Sequence, residues 1–219
     1  MSGRREVQPA GNGSSPDTVR GSLHGEALES LTELNEQCLE LLAEHAARPA
    51  SPDRPLLSSL RDLWLALDPA ARRRAASCPY LLVDPGFSDV RNWLGGNAIH
   101  DATRPAVTAF FGGARAGTVL RLTLTYGWHL ARSRPSAARL LLGMPPACAE
   151  RIAACTLRQV EALAEHHLEW LQPRWPTRLQ AWRELLAAAI QGEGPALERA
   201  RTRGLQLLAA EARCAPEMR

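Results

Sequence analysis

The residues of this chain that could do chemistry fall into groups, each implying a different reaction or ligand. His129, His166 and His167, together with Cys38, Cys78, Cys148, Cys155 and Cys214, are the candidate metal donors. Structural zinc sites are built from close ligand pairs, and no CxxC pair or one-face i, i+4 pair stands here, so no metal is expected. The histidines suit helix ends, where the C-terminal dipole favours a cation. Asp84, Asp89, His100 and Asp101 place carboxylates and a histidine in a loop region. Their spacing matches no catalytic constellation, and turn capping accounts for them. Gly112, Gly113 and Gly117 precede a helix, as phosphate loops do, but the run lacks lysine and P-loop spacing and reads as a hinge. A nucleophile elbow is also missing. The expectation is a chain without enzymatic activity or cofactor.

Two further groups suit recognition. Arg151 and Arg158 lie on a helical corner and are the candidate DNA contacts, with Glu161 and Glu165 on the same second helix. Four glutamates, Glu150, Glu161, Glu165 and Glu169, offset the two arginines, whereas phosphate contact needs excess positive charge. The corner therefore reads either as a DNA-binding helix-turn-helix or as a plain corner of a helical bundle. Trp170, Arg174, Trp175 and Arg178, near Trp182, form a polar-aromatic patch of the composition enriched at interface hot spots, and are the candidate partner-binding residues. The alternative is that two of the three tryptophans are core, with at least one exposed.

The elements that must position these residues are helical throughout. Pro145 and Pro146 preset a first turn at 146–155, and Gly143 closes the helix before it. Thr156 and Gln159 have the spacing of a capping box, opening a second helix to about 165 or 166. Ile152, Val160, Leu163 and Ala164 face inward. Upstream, Leu28, Leu31, Leu34, Cys38, Leu41 and Leu42 make one apolar stripe over 26–47. A helix over 56–67 follows, with Leu57, Leu60, Leu63, Trp64 and Leu67 inward, and Asp68-Pro69 starts another through 76. Residues 80–83 read as a strand or an extended core segment, and 87–94 as a helical turn or two. Val107 to Phe111 is apolar enough to be buried. The helix over 118–132 is apolar on nearly all sides, which predicts burial on several faces or a dimer seam. Helices at 179–190 and 196–213 end the chain. The organisation expected is a disordered tail at 1–24, a helical region at 25–115 with a loop-rich connection, and a helical domain at 116–213.

The class is all-α, as the weight of alanine, leucine and arginine favours. The chain has 219 residues, with 45% hydrophobic residues, 26 basic and 23 acidic side chains and a net charge of +3. No lysine occurs, so the arginine count reflects a general bias and not selection for phosphate. The net charge permits nucleic-acid contact without arguing for it. Five cysteines without paired spacing point to a reducing compartment, and neither a signal peptide nor a membrane span is read, so a cytoplasmic protein is expected.

The stretch containing Ala137-Ala138, Leu142-Gly143-Met144, Ala149, Ile152-Ala153-Ala154, Thr156-Leu157, Gln159-Val160, Leu163-Ala164-Glu165 and Arg174-Trp175 resembles the FlhD family of bacterial flagellar transcriptional regulators. The likeness extends weakly back to about Leu120 and forward through Trp182-Arg183-Glu184-Leu185-Leu186 to Gly204-Leu205-Gln206-Leu207-Leu208. It covers somewhat less than half of the chain. It implies a helical, dimeric activator that binds DNA with a second regulatory subunit. Leu171 stands where the family has its interchain cysteine, so no covalent dimer is implied there. The first 115 or so residues have no counterpart in the family. The competing expectation is an interaction protein, an adaptor or chaperone, using the same helical surface for protein alone.

Overall fold

Proline, glycine and side-chain caps punctuate the helices, and the computed structural model, which describes residues 16–49, 53–94 and 108–214, follows them closely. Gly95, Gly96, Asn97, His100, Asp101, Pro105 and Val107 lie outside the described residues, as does the tail at 1–15. The described residues are all-α, with eleven α-helices and one two-stranded ribbon. No helix among them is long and apolar enough to cross a membrane.

Helix α1 (Pro16–Ala47) starts ten residues before the expected Glu26, so part of the segment expected to be disordered is helical backbone. A proline at the first helical position has its φ preset for this. The stripe buries Leu31, Leu34, Cys38, Leu41 and Leu42, but Leu28 is 42% exposed. The helix expected over 56–67 is two pieces, α2 (Pro55–Ser58) and α3 (Arg61–Leu65). The hydroxyl of Ser58 donates back to the Arg54 carbonyl at 3.3 Å, the local competition that makes serine a poor helix interior. On either side of the break Leu56, Leu57, Leu60, Trp64 and Leu67 are buried, with Leu63 half-buried. Helix α4 (Pro69–Ala76) begins as expected, the Asp68 carboxylate accepting from the Ala71 amide at 2.6 Å.

The apolar run after α4 crosses the core, with Tyr80, Leu81, Leu82 and Val83 all buried. Its end is strand β1 (Val83–Pro85), antiparallel to β2 (Leu171–Pro173), with Asp84 opposite Gln172. Each strand carries a proline, which has no N–H to offer a further strand. Helix α5 (Arg91–Leu94) is a single turn. Helix α6 (Ala114–Ser133) starts at Ala114, so of the three glycines read as a hinge Gly117 lies inside it and only Gly112 and Gly113 precede it. It packs on α1 and on α7 (Pro135–Leu142), α8 (Pro146–Ala154) and α9 (Leu157–His166). Of the two expectations for this apolar helix, burial on several faces within one chain holds.

Helices α10 (Leu179–Gln191) and α11 (Pro195–Cys214) pack on each other, and α10 also packs on α3 and α4. The C-terminal helices thus sit with the N-terminal ones. A single apolar core runs from Leu31 of α1 to Leu208 of α11, across the glycines at 112–117.

Candidate functional site

The α8–α9 corner is built from local signals. Gly143 ends α7 in the left-handed region at φ 64°, and Pro145–Pro146 then start α8. Cys148, Ala149 and Ile152 are its buried face. Only Cys155 and Thr156, both extended, separate α8 from α9. The Thr156 amide donates to Gln159 Oε1 at 2.8 Å, and the Gln159 amide donates to Thr156 Oγ1 at 3.3 Å, so the capping box is present. Helix α9 lays Val160, Leu163 and Ala164 inward and leaves Leu157, Arg158, Gln159, Glu161 and Glu165 exposed. Both α8 and α9 rest on α6. The indole N–H of Trp128 on α6 donates to the Cys155 carbonyl at 2.7 Å, which fastens the turn itself. Trp128 belongs to the helix read as apolar on nearly all sides, and its bond to the corner depends on the fold.

The two arginines expected to touch DNA are placed differently. Arg158 is exposed on the first turn of α9. Arg151 is exposed too, but its Nε donates to the Trp93 carbonyl at 3.0 Å and ties α8 to α5. The glutamates are also distributed unevenly. Glu161 and Glu165 lie beyond the first turn of α9, and Glu169 accepts from His167 at 2.9 Å.

The arginine–tryptophan patch is mostly interior, which corrects the expectation that Trp170 and Arg174 face a partner. Trp170 is 7% exposed, stacks on His167 at 4.1 Å and meets Trp93 at 5.6 Å. Arg174 is 2% exposed. Its Nε donates to the Leu81 carbonyl at 3.0 Å, Nη2 to the Leu142 carbonyl at 2.7 Å, and Nη1 to Glu211 at 3.3 Å. These bonds join the β ribbon, α7 and α11. Trp182 is buried against Trp64 and donates to the Arg174 carbonyl at 2.9 Å. Trp175 is half-buried, its ring 5.7 Å from that of Tyr80, and its backbone is left-handed at φ 52°. Such strain in a non-glycine residue costs on the order of 1–3 kcal/mol. Arg178 is exposed. Trp175 and Arg178 remain at the surface, lining a cleft of about 410 Å³ with Gln172, Thr177 and Glu211.

The remaining candidates have structural roles. Asp84 is buried and accepts from the Phe87 amide at 2.7 Å and from Ser88, closing a turn. Asp89 pairs with Arg91 at 2.9 Å. His166 lies 2.8 Å from the Ala162 carbonyl in the last turn of α9, and His129 is exposed. No group of three or more His, Cys, Asp or Glu among the described residues could hold a metal ion. Burial pushes the Cys38, Cys148 and Cys155 thiols up, and that of Cys78 up to about 11, so these thiols stay protonated at neutral pH. The chain matches no protein-family model, no curated protein and no solved structure.

Proposed function

We propose that this chain is an FlhD-like transcriptional regulator that contacts DNA through the outward face of α9, as one subunit of an oligomeric complex. The observation carrying this reading is the corner: a capped helix after a two-residue turn, seated with α8 on α6, with Arg158 on its exposed first turn. The second helix after such a short turn is the element that enters a major groove in helix-turn-helix proteins. The charge of that face decides how the contact works. With Glu161 and Glu165 on the same face, the isolated chain binds poorly and at low salt, and a partner subunit supplies most of the positive charge.

Gel shifts on mixed-sequence duplex test this, run at about 50 and 200 mM salt with and without co-expressed candidate subunits. A shift at the lower salt that weakens at the higher, strengthens with a partner and fades in Arg158→Ala is the expected result. No shift at the lower salt under either condition removes the reading. The competing reading, a protein adaptor, draws on the strained Trp175 beside the exposed Arg178 in the cleft. It predicts no DNA binding at all, and loss of a protein partner on Arg178→Ala.

A further inference from the structure

We infer that Arg132, which sequence reading did not single out, is a second phosphate contact of the corner and that Trp128 positions it. The inference rests on the DNA reading above. Arg132 is exposed in the last turn of α6, and its guanidinium carbon lies 5.0 Å from the centre of the Trp128 ring. The same indole donates to the carbonyl of Cys155, the residue before the Thr156 cap, at 2.7 Å. The chain Arg132, Trp128, Cys155 therefore holds a cation beside the turn that precedes α9. An arginine resting on an aromatic face is already ordered, so less side-chain freedom is lost when it meets a phosphate.

Charge around the turn favours this. Among the described residues Arg132 and Arg158 form no ion pair, whereas Arg72, Arg115 and Arg203 are each neutralised by a glutamate. Helix α9 carries no carboxylate until Glu161. Counted over the whole corner, acids outnumber bases; at the turn itself two free arginines stand without one. The positive charge that this chain itself brings to the turn thus comes half from α6 and half from α9.

The test is fluorescence anisotropy of the full chain against a labelled mixed-sequence duplex of about three helical turns, titrated across salt from about 50 to 200 mM. Arg132→Ala is expected to weaken binding evenly across sequences and to lower the slope of log affinity against log salt by about one, as Arg158→Ala does. Arg132→Lys, which keeps the charge, is expected to restore the slope. Arg199→Ala, at an exposed position on α11, is expected to change neither quantity. Arg132 is exposed and its one contact of note is the Trp128 ring, so at most a small fall in the denaturation midpoint accompanies its loss. If the wild type binds and Arg132→Ala keeps both affinity and slope while Arg158→Ala loses them, the inference falls and the DNA reading stands. If the wild type does not bind at the lowest salt, either alone or with a co-expressed subunit, both fall.

Discussion

The α8–α9 corner and the Arg174 segment that follows it are both held by polar side chains, yet their partners lie at opposite extremes of sequence distance. The capping box closes between Thr156 and Gln159, three residues apart. Arg174 reaches Leu142, Glu211 and Leu81, which are 32, 37 and 93 residues away. A cap needs only its neighbours, so residue types and spacing announce it. A buried arginine needs carbonyls that the fold alone assembles, and in sequence it looks like any surface cation beside a tryptophan.

The sharpest way to break this comparison is Arg174→Met. It leaves the Leu81 and Leu142 carbonyls without a donor in the core, and about 3 kcal/mol or more of stability should be lost. Arg174→Lys should recover little, because one ammonium cannot serve three divergent acceptors. A denaturation midpoint equal to wild type would return Arg174 to the surface role that its composition suggested.

Asn35 repeats the long-range pattern without a charge. It is fully buried; its Nδ2 donates to the Ala76 and Tyr80 carbonyls at 3.0 and 2.9 Å, and its Oδ1 accepts from the Leu82 amide at 2.9 Å. Asn35→Ala should cost about 2 kcal/mol and speed hydrogen exchange at the Leu82 amide. Slow exchange retained in the variant would mean that the extended segment is held by packing alone.

The local pattern should give less. Thr156→Ala removes the cap acceptor at a cost of about 1 kcal/mol, while Thr156→Ser should be close to neutral. Equal losses from both variants, measured by urea unfolding, would point to the methyl group and not the hydroxyl.

His45 joins both patterns in one ring, and its effect is a pH dependence. Nδ1 lies 2.8 Å from the Leu41 carbonyl four residues back, and Nε2 accepts from the Gly112 amide, 67 residues on, at 3.3 Å. Since the Gly112 N–H can only donate, Nε2 carries the lone pair and Nδ1 the proton. Burial first, then the Arg48 and Arg54 cations, hold the His45 pKa below the ordinary 6.5. The folded state binds the proton more weakly than the unfolded chain does. The contribution is therefore complete above pH 6.5 and is lost as pH falls below it through the folded-state value. The unfolding midpoint should fall over that window, and His45→Gln should flatten the profile; an equal slope in the variant would assign the effect elsewhere.

Much of the helical frame was legible in the chain because its signals are short. Asp68-Pro69 marked α4, Gly143 ended α7, Pro145–Pro146 opened α8, and Thr156 with Gln159 opened α9, since each is satisfied within one helical turn. Three- and four-residue apolar spacing was enough for the all-α class. Other features depended on what the chain meets elsewhere. The stripe on α1 could not reveal that Leu28 stays exposed, nor could residues 56–67 show the break between α2 and α3. The strand partner of residues 83–85, the burial of Trp170 and Arg174, and the fastening of the corner by Trp128 all came from residues far apart in sequence. Backbone caps are local equilibria that a few neighbouring side chains can bias. Burial of a polar group depends on which carbonyls and rings arrive around it, and only the closed core supplies those.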